Sequence, residues 1–237
     1  MTAILAPPRS KPETPKARAV PSERARGDRF VFTDVDWQFY DQVLDAANKR
    51  RIFVTYYKGM LEVMSPSYEH DGSGELLAAL VRIVATELKV PHKGAGSTTL
   101  RRRRVQAGLE PDRCFYIRNV SAIRGKRQID LNVDPPPDLA IEVEMSRRLG
   151  ERVNVYEALR VPELWRYDGQ SLRVFELGEA RTYVERDRSI AFPDLPLEQL
   201  HRLVQLGWDM DELEWDRTVR TWIRRNLRKA KGRRRRK

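Results

Sequence analysis

Cysteine is almost absent from this chain, which has a single one, Cys114, among 237 residues. An intramolecular disulfide is therefore excluded, and we expect a reducing compartment, the cytoplasm. The three histidines and the cysteine are scattered, which excludes a zinc-finger spacing. No apolar run approaches the ~20 residues of a membrane span, so we expect no membrane partner. The short apolar run before Pro7 is too brief for a signal peptide.

Acidic residues are missing from the C-terminal end, so the net charge of +11 comes largely from that end of the chain. Residues 217–237 carry twelve Lys/Arg and no acid, and residues 1–29 carry a net +4. The remainder, 30–216, is therefore negative by five charges. The high isoelectric point thus belongs to the ends of the chain. A basic tail can bind DNA phosphates non-specifically or can serve only as a solvated tail, and both interpretations stay open.

The order of sequence patterns predicts one α/β or α+β domain with a tail at each end. Hydrophobic residues make up 41% of the chain, enough for a core. We expect a disordered tail over 1–29, a folded domain over 30–227 and a basic tail over 228–237. The predicted elements are a helix over 34–48, a hairpin turning at Lys58–Gly59, a helix over 68–89, paired strands in "GAGSTTLRRRRV" and "EPDRCFYI", an irregular segment over 119–136, a strand over 138–146, a helix over 149–159, a hairpin turning at Asp168–Gly169 and a last helix from Met210.

The predicted strand "DLAIEVEMS" has an acidic face. Side chains alternate along a strand, so Leu139, Ile141 and Val143 point one way, and Asp138, Glu142 and Glu144 point the other. Two charges roughly 7 Å apart repel by about 2 kcal/mol at an effective dielectric near 20. Water or a cation must relieve that repulsion. A simply solvated polar face is one interpretation, since antiparallel sheets allow it.

The helix that follows favours a site over a solvated face. Arg152, Val155, Tyr156 and Leu159 recur at the helical period, which places Arg152 on an inward apolar stripe. A buried cation needs an anionic partner, and the preceding acids are the obvious candidates. Asp112 starts another predicted strand. Two strand acids with a nearby cation suit a metal-dependent phosphodiesterase, because Mg²⁺ prefers carboxylate oxygen.

Several stretches in order carry a resemblance to a known family. They are "GMLEVMSPSYEH", "GSTTL", "GLEPDRCFYI", "IDLNVDPPPDLAIEVEMS", "YEALRVPELWRYDG" and "AFPDL", which extend over most of the chain from Phe30 to Leu195. The sequence resembles the Uma family of restriction endonuclease-like proteins, within the PD-(D/E)xK nuclease superfamily. The resemblance implies a restriction-endonuclease-like core, with a mixed central sheet flanked by helices. It also implies a DNA endonuclease that uses Mg²⁺ or Mn²⁺.

The resemblance assigns roles residue by residue. Asp112 matches the aspartate of the family motif and Glu142 matches its strand glutamate. Asp138 matches the aspartate of the "PPDL" run, so the implied metal ligands are Asp112, Glu142 and Asp138. His70 matches a histidine that opens the first core helix, either as a catalytic group or as a hydrogen-bonding residue at the helix start.

Two departures from the family pattern concern its lysine. The superfamily position two residues after the strand acid holds Glu144 here, and the displaced position in the following helix holds Arg152. Arginine keeps the charge and can bind a phosphate, but it cannot accept a proton at neutral pH. Two functions therefore stay open. One is an active endonuclease with Arg152 on the phosphate, and the other is a non-catalytic nucleic-acid- or partner-binding module with a decayed site.

The remaining signals are weaker. The run "RRRR" at 101–104 lies on a predicted strand, where at most two side chains reach a groove on either side, and an exposed edge strand is as good an interpretation. Trp215 and Trp222 at helical spacing are typical of a core. The sequence also leaves a homodimer open.

Overall fold

The computed structural model describes residues 19–21, 29–47, 50, 52–144 and 150–234. Within these ranges, none of the helices is both long and apolar enough to span a membrane. The described helices are α1 (Trp37–Ala47), α2 (Tyr68–Glu87), α3 (Gly150–Leu159), α4 (Leu197–Asp209) and α5 (Glu212–Arg234). The strands are β1 (Ala19–Pro21), β2 (Arg29–Phe32), β3 (Phe53–Tyr57), β4 (Met60–Met64), β5 (Lys93–Gly96), β6 (Leu100–Arg102), β7 (Ala107–Leu109), β8 (Arg113–Tyr116), β9 (Leu139–Val143), β10 (Glu163–Tyr167), β11 (Leu172–Leu177) and β12 (Tyr183–Arg186).

Two sheets and five described helices form an α+β fold, which confirms the predicted class. The first sheet has the order β1-β2-β4-β3-β7-β6, with every pair antiparallel. The second has the order β12-β11-β10-β9-β8-β5 and is mixed, because β9 and β10 run parallel. The helix α3 connects these two parallel strands, as a parallel crossover requires. The sequence predicted one mixed sheet, and the structure adds a second.

The two predicted hairpins follow from their turn residues. Lys58 and Gly59 both have positive φ, 45° and 91°, the conformation that a two-residue turn needs to match the strand twist. The turn between β10 and β11 has Gly169 at φ 84°, and the carboxylate of Asp168 accepts hydrogen bonds from the amides of Gln170 and Ser171. Both hairpins therefore form where the sequence predicted them.

The helix α2 begins at a cap that also places His70. The hydroxyl of Ser67 accepts a hydrogen bond from the amide of His70 at 3.2 Å, and Glu69 and Asp71 lie in the first turn. Such a cap and such acids stabilise a helix start. The buried residues of α2, with α4 and α5, pack on one face of the mixed sheet. His70 is thereby fixed at the end of the sheet where β8 begins.

A second apolar cluster surrounds α3 on the opposite face of the mixed sheet. Val155, Tyr156 and Leu159 of α3 pack with Leu100, Ala107 and Leu109 of the first sheet and with Ala140 and Leu164 of the second. The helix therefore lies between the two sheets, and its side chains reach residues of both. The strand β9 is buried on both faces, so its acidic face is not solvated.

One predicted segment differs from the structure, and the predicted ends of the domain stay predictions. The stretch 93–104 divides between the sheets, because β5 pairs with β8 while β6 pairs with β7, and Arg103 and Arg104 lie in a 3-10 turn. The backbone of α5 is helical to Arg234, beyond the boundary predicted at Leu227. The predicted N-terminal tail lies largely outside the described residues, apart from Ala19–Pro21, which pair with β2.

Candidate active site

Glu142 lies at the centre of the site because β9 alternates. Ile141 and Val143 enter the core beneath α2, so Glu142 points the other way, towards α3, and is 4% exposed. Arg152 of α3 binds it with two parallel hydrogen bonds, from Nε to Oε2 at 2.8 Å and from Nη2 to Oε1 at 2.7 Å. The hydroxyl of Tyr156 also donates to Oε1. Such a bidentate pair fixes the position of the carboxylate as well as its charge.

The guanidinium of Arg152 also binds two other parts of the chain, β3 and the residue that follows β7. Its Nη1 donates to the hydroxyl of Thr55 on β3 at 2.5 Å, and its Nη2 donates to the carbonyl oxygen of Glu110 at 2.9 Å. Arg152 is only 8% exposed. It points towards the acids, as the helical stripe predicted, and its guanidinium donates four hydrogen bonds to other residues.

Asp112 faces Glu142 across two strands. Asp112 lies directly before β8, and the register that sets Arg113 opposite Ile141, extended by one residue, sets Asp112 beside Glu142 on the same face. The Oδ2 atom of Asp112 accepts a hydrogen bond from the amide of Val143 at 2.6 Å and lies 3.3 Å from His70 Nε2. Its Oδ1 atom is buried with no hydrogen-bond partner. A buried carboxylate oxygen without a partner is costly unless another group binds it.

Burial and the neighbouring charges govern the pKa values in this cluster. Burial raises the pKa of Glu142, Arg152 opposes that rise, and Asp112 adds to it. Burial lowers the pKa of Arg152, but Glu142, Tyr156 and Asp112 together outweigh burial and hold that pKa well above its usual value. Burial also lowers the pKa of His70, yet the hydrogen bond and charge of Asp112 raise it overall. The negative charges of Asp112 and Glu142 thus stabilise the protonated forms of Arg152 and His70.

The structure does not bring Asp138 and Glu144 into this cluster. The Oδ2 atom of Asp138 accepts hydrogen bonds from the amides of Ile117 and Asn119 at 2.7 and 3.0 Å, so its carboxylate closes the turn after β8. Glu144 lies just beyond β9, where its Oε2 pairs with Arg166 Nη2 of β10 at 2.6 Å. By strand alternation, Asp138 and Glu144 point to the same side as Glu142. Each of them, however, binds a neighbouring group that alternation alone does not predict.

Three residues of the site were not among the predicted ones. Tyr156 follows Arg152 by four positions, and this spacing was the available signal because such residues share a helix face. Thr55 and Glu110 gave no signal, since their contacts with Arg152 depend on how β3 and β7 meet α3. The side chain of Glu110 accepts from the amide of Val54 and from the Thr99 hydroxyl, which fixes its backbone beside Arg152.

The oxygen atoms present fit a divalent cation held by two residues. Within the described ranges, no group of three or more His, Cys, Asp or Glu side chains could hold a metal. A Mg²⁺ site with several water ligands needs only one or two carboxylates. Asp112 Oδ1 has no partner, and Glu142 Oε2 accepts only from Arg152 Nε, so both retain lone pairs. The chemistry of this donor set is that of a hard cation.

The fold and the site together define an α+β protein with a buried acidic site, in which two carboxylates face one guanidinium. Comparison with family models identifies the group more closely. The model of the Uma2 family, described as "Putative restriction endonuclease", matches residues 37–211. The match covers well over half of the chain, so the chain belongs to this family.

Among solved structures, the chain is similar to the crystal structure of a putative nuclease belonging to DUF820 from Anabaena variabilis. The identity is 16%, the TM-score is 0.47, and the likeness covers 64% of this chain and 90% of that one. A search of the curated proteins found no match.

Proposed function

We propose that this protein is a DNA endonuclease that hydrolyses phosphodiester bonds with a divalent cation at Asp112 and Glu142. The observation that carries the proposal is that two buried carboxylates adjoin, Asp112 directly before β8 and Glu142 on the neighbouring strand β9, with Asp112 Oδ1 buried and without a partner. Membership of a family described by restriction endonuclease activity supports it. The substrate class follows from the family description, and the basic C-terminal residues add an electrostatic attraction to DNA.

Asp112 Oδ1 and Glu142 Oε2 would hold Mg²⁺ or Mn²⁺ in this proposal. The cation would supply two things when bound: a water of lowered pKa and neutralisation of charge on the scissile phosphate. Water molecules would complete its coordination, since Mg²⁺ keeps several of them. Asp138, which closes a turn, and Glu144, which pairs with Arg166, are not among the ligands of this site.

Arg152 acts as a positioning residue in this site rather than as a ligand of the phosphate. Four of its hydrogen bonds already go to Glu142, Thr55 and Glu110, and a guanidinium has five N–H groups. It therefore orients Glu142 and offsets the repulsion between Glu142 and Asp112. It cannot serve as a base, because a guanidinium keeps its protons. The general-base role that a lysine could take has to come from elsewhere.

His70 has the corresponding relation to Asp112. Its Nε2 lies 3.3 Å from Asp112 Oδ2, and its ring is 7% exposed. An Nε2–H group would donate to Oδ2 and leave Oδ1 available for the cation. His70 thus orients one carboxylate and Arg152 the other, and Asp112 Oδ1 keeps no hydrogen-bond partner.

A second candidate function is favoured by the Arg152–Glu142 pair itself. Arg152 and Tyr156 bind both oxygens of Glu142, as expected for a site where an arginine has replaced the cation. The chain would then be a non-catalytic module that binds nucleic acid or a protein partner on a nuclease-like fold. The two functions differ in whether the cluster binds a divalent cation and cleaves DNA.

Conversion of supercoiled plasmid to nicked and linear forms tests the proposal, with Mg²⁺ or Mn²⁺ and with chelator. We expect cation-dependent cleavage by the wild-type protein and none by Asp112→Asn. Glu163→Gln is a matched control, because Glu163 is also a buried acid of the mixed sheet but lies outside the site. Cleavage by Asp112→Asn at the wild-type rate would contradict the proposal, and no cleavage by a folded wild type would favour the non-catalytic module.

A further inference from the structure

Three arginines converge on one cavity away from the acidic cluster. Arg102 ends β6, Arg104 lies in the 3-10 turn that follows, and Arg160 follows α3. Together with the segment 131–136 they line a cavity of about 360 Å³. This volume is at the lower end of the range for small-molecule sites. It holds part of the arginine run of 101–104, which the proposed hydrolysis does not use.

Arg102 is the buried floor of this cavity. It is 8% exposed, and its Nε and Nη2 both donate to the carbonyl oxygen of Leu131, at 3.1 and 2.6 Å. These bonds fix the plane of the guanidinium without neutralising it. Burial lowers the pKa of Arg102, and the nearby charges of Arg104 and Arg160 lower it further. The charges of Arg104 and Arg160 are therefore close enough to disfavour that of Arg102.

No acid in the described part of the chain forms an ion pair with these arginines. Asp134 also lines the cavity, but its Oδ1 pairs with Lys126 Nζ and its Oδ2 accepts from the amide of Asp130 at 3.0 Å. Its carboxylate is thus already satisfied by other groups. Clustered positive charges without a counter-charge are the arrangement that binds a multivalent anion.

The backbone of Arg160 adds an independent observation. Arg160 has φ +63°, directly after the last residue of α3. This left-handed position at a helix end is usually occupied by glycine, which adopts it without steric cost. The hydrogen bonds that end the helix, from the amide of Arg160 to Glu157 and from that of Val161 to Tyr156, are main-chain bonds that glycine would also allow. The end of the helix alone therefore does not account for an arginine.

We propose that this cavity is a phosphate-binding site for a nucleotide, either free or within a nucleic-acid strand. Arg104 and Arg160 would bind the phosphate oxygens with their guanidinium forks, and Arg102, whose Nε and Nη2 already donate to Leu131, would contribute its Nη1. Val133, which is 78% exposed, lies on the same cavity with Pro135 and Pro136 and offers an apolar surface to the sugar or base.

The site is distinct from the acidic cluster. Arg152 and Arg160 are eight residues apart along α3 and its end, roughly 12 Å at the helical rise of 1.5 Å per residue. Binding at the cavity does not require the proposed hydrolysis, so a failure of one leaves the other untouched.

Arg160→Gly tests the proposal, because binding and stability should change in opposite directions. Glycine removes one charge and also the cost of the left-handed backbone, so we expect an unchanged or higher Tm with about tenfold weaker binding. Arg181→Gly is the matched control. Arg181 is an exposed arginine with the same φ of 63°, and it does not line the cavity.

A second pair of variants examines the neighbouring turn. Arg104→Gln should weaken binding by a similar factor, and Arg103→Gln should not, because Arg103 is exposed beside Arg104 but does not line the cavity. Both side chains are exposed, so neither substitution should impair folding.

Calorimetric titration of the full chain measures the affinity for inorganic phosphate, a 5′-mononucleotide and a short oligonucleotide. Tighter binding of the mononucleotide than of phosphate, sensitive to Arg160→Gly, would assign a free nucleotide. Sensitivity only with the oligonucleotide would assign a strand. Equal affinities of Arg160→Gly and Arg181→Gly for all three probes would overturn the proposal.

Discussion

Two buried glutamates on the parallel strands β9 and β10 have opposite kinds of partner. Glu163, at the start of β10, accepts hydrogen bonds from the indole of Trp165 and the amide of Ala191, at 2.6 and 2.8 Å. Glu142 on β9 is bound by Arg152 and Tyr156 and faces a second acid, Asp112. Burial raises the pKa of both glutamates. Neutral hydrogen-bond donors therefore stabilise the carboxylate of Glu163, whereas the charged guanidinium of Arg152 stabilises that of Glu142.

The difference separates a structural role from a chemical one. Neutral donors suffice to attach the segment around Ala191 to β10, so Glu163 needs no further group. Around Glu142, two carboxylates and one guanidinium leave one negative charge in excess in a buried site while His70 is neutral. A second buried acid there is costly unless it is fully compensated, and its Oδ1 has no hydrogen-bond partner. The excess is what a divalent cation would neutralise.

The largest expected effect comes from removing Arg152, the positive charge that lies beside Glu142 and, within the described residues, has no counterpart beside Glu163. Arg152→Ala leaves two buried carboxylates without their guanidinium, and we expect a loss of about 3–5 kcal/mol in the free energy of unfolding. Mg²⁺ should restore part of this loss, because a ligand that binds the folded state stabilises it. Urea unfolding with and without Mg²⁺ measures both quantities.

Arg152→Lys is the matched variant for that experiment. Lysine keeps the charge but cannot bind Glu142, Thr55 and Glu110 at once, so we expect a smaller loss and retained cleavage. A loss of stability in Arg152→Ala that Mg²⁺ does not reduce would indicate that the arginine is the permanent occupant of the site.

Next in size is the effect of neutralising each glutamate on DNA cleavage. Glu142→Gln removes a proposed cation ligand worth several kcal/mol, so we expect cleavage to fall by about a hundredfold or more. Glu163→Gln loses an acceptor for Trp165 or Ala191 but should cleave within about twofold of wild type, since that side chain lies outside the site. Rates from plasmid nicking at equal concentrations of folded protein compare the two. Similar losses of DNA cleavage in Glu142→Gln and Glu163→Gln would contradict the proposed difference between the two glutamates.

The smallest expected effect is the pH dependence of stability at Glu163. Its pKa is raised in the folded state, so the unfolded chain loses its proton first as the pH rises. The stability contributed by Glu163 is therefore greatest below the ordinary carboxyl pKa and falls as the pH rises through the folded-state pKa. Glutamine does not titrate. Unfolding followed from acid to neutral pH should show the advantage of wild type over Glu163→Gln shrinking, and an advantage that grows would contradict this.

The local pattern of the sequence predicted the elements that carry the site. Alternation identified the face of Glu142, and the helical period placed Arg152 towards the acids, because both depend only on neighbours in the chain. The turns at Lys58–Gly59 and Asp168–Gly169 were equally local. Cys114, two residues after Asp112, is fully buried, and burial raises its pKa to about 12.

Contacts between distant segments were what the sequence could not provide. Asp138 has the parity of Glu142, but its carboxylate turns to amides of residues 117 and 119, which only the folded chain brings near. The stretch 93–104 contains two strands, and nothing in its side chains indicates that β5 and β6 join different sheets. Thr55 became part of the site only because β3 lies beside α3.

Binding of Mn²⁺ to the full chain, measured by calorimetry, tests the central claim most directly. We predict one site in the wild-type protein, loss of that site in Asp112→Asn, and an unchanged site in Glu163→Gln. Asparagine keeps the size of the side chain and can still accept from the amide of Val143, so the loss would report the carboxylate itself. Wild-type affinity for Mn²⁺ in Asp112→Asn, or no binding to a folded wild type, would contradict the assignment of Asp112 and Glu142 as a cation site.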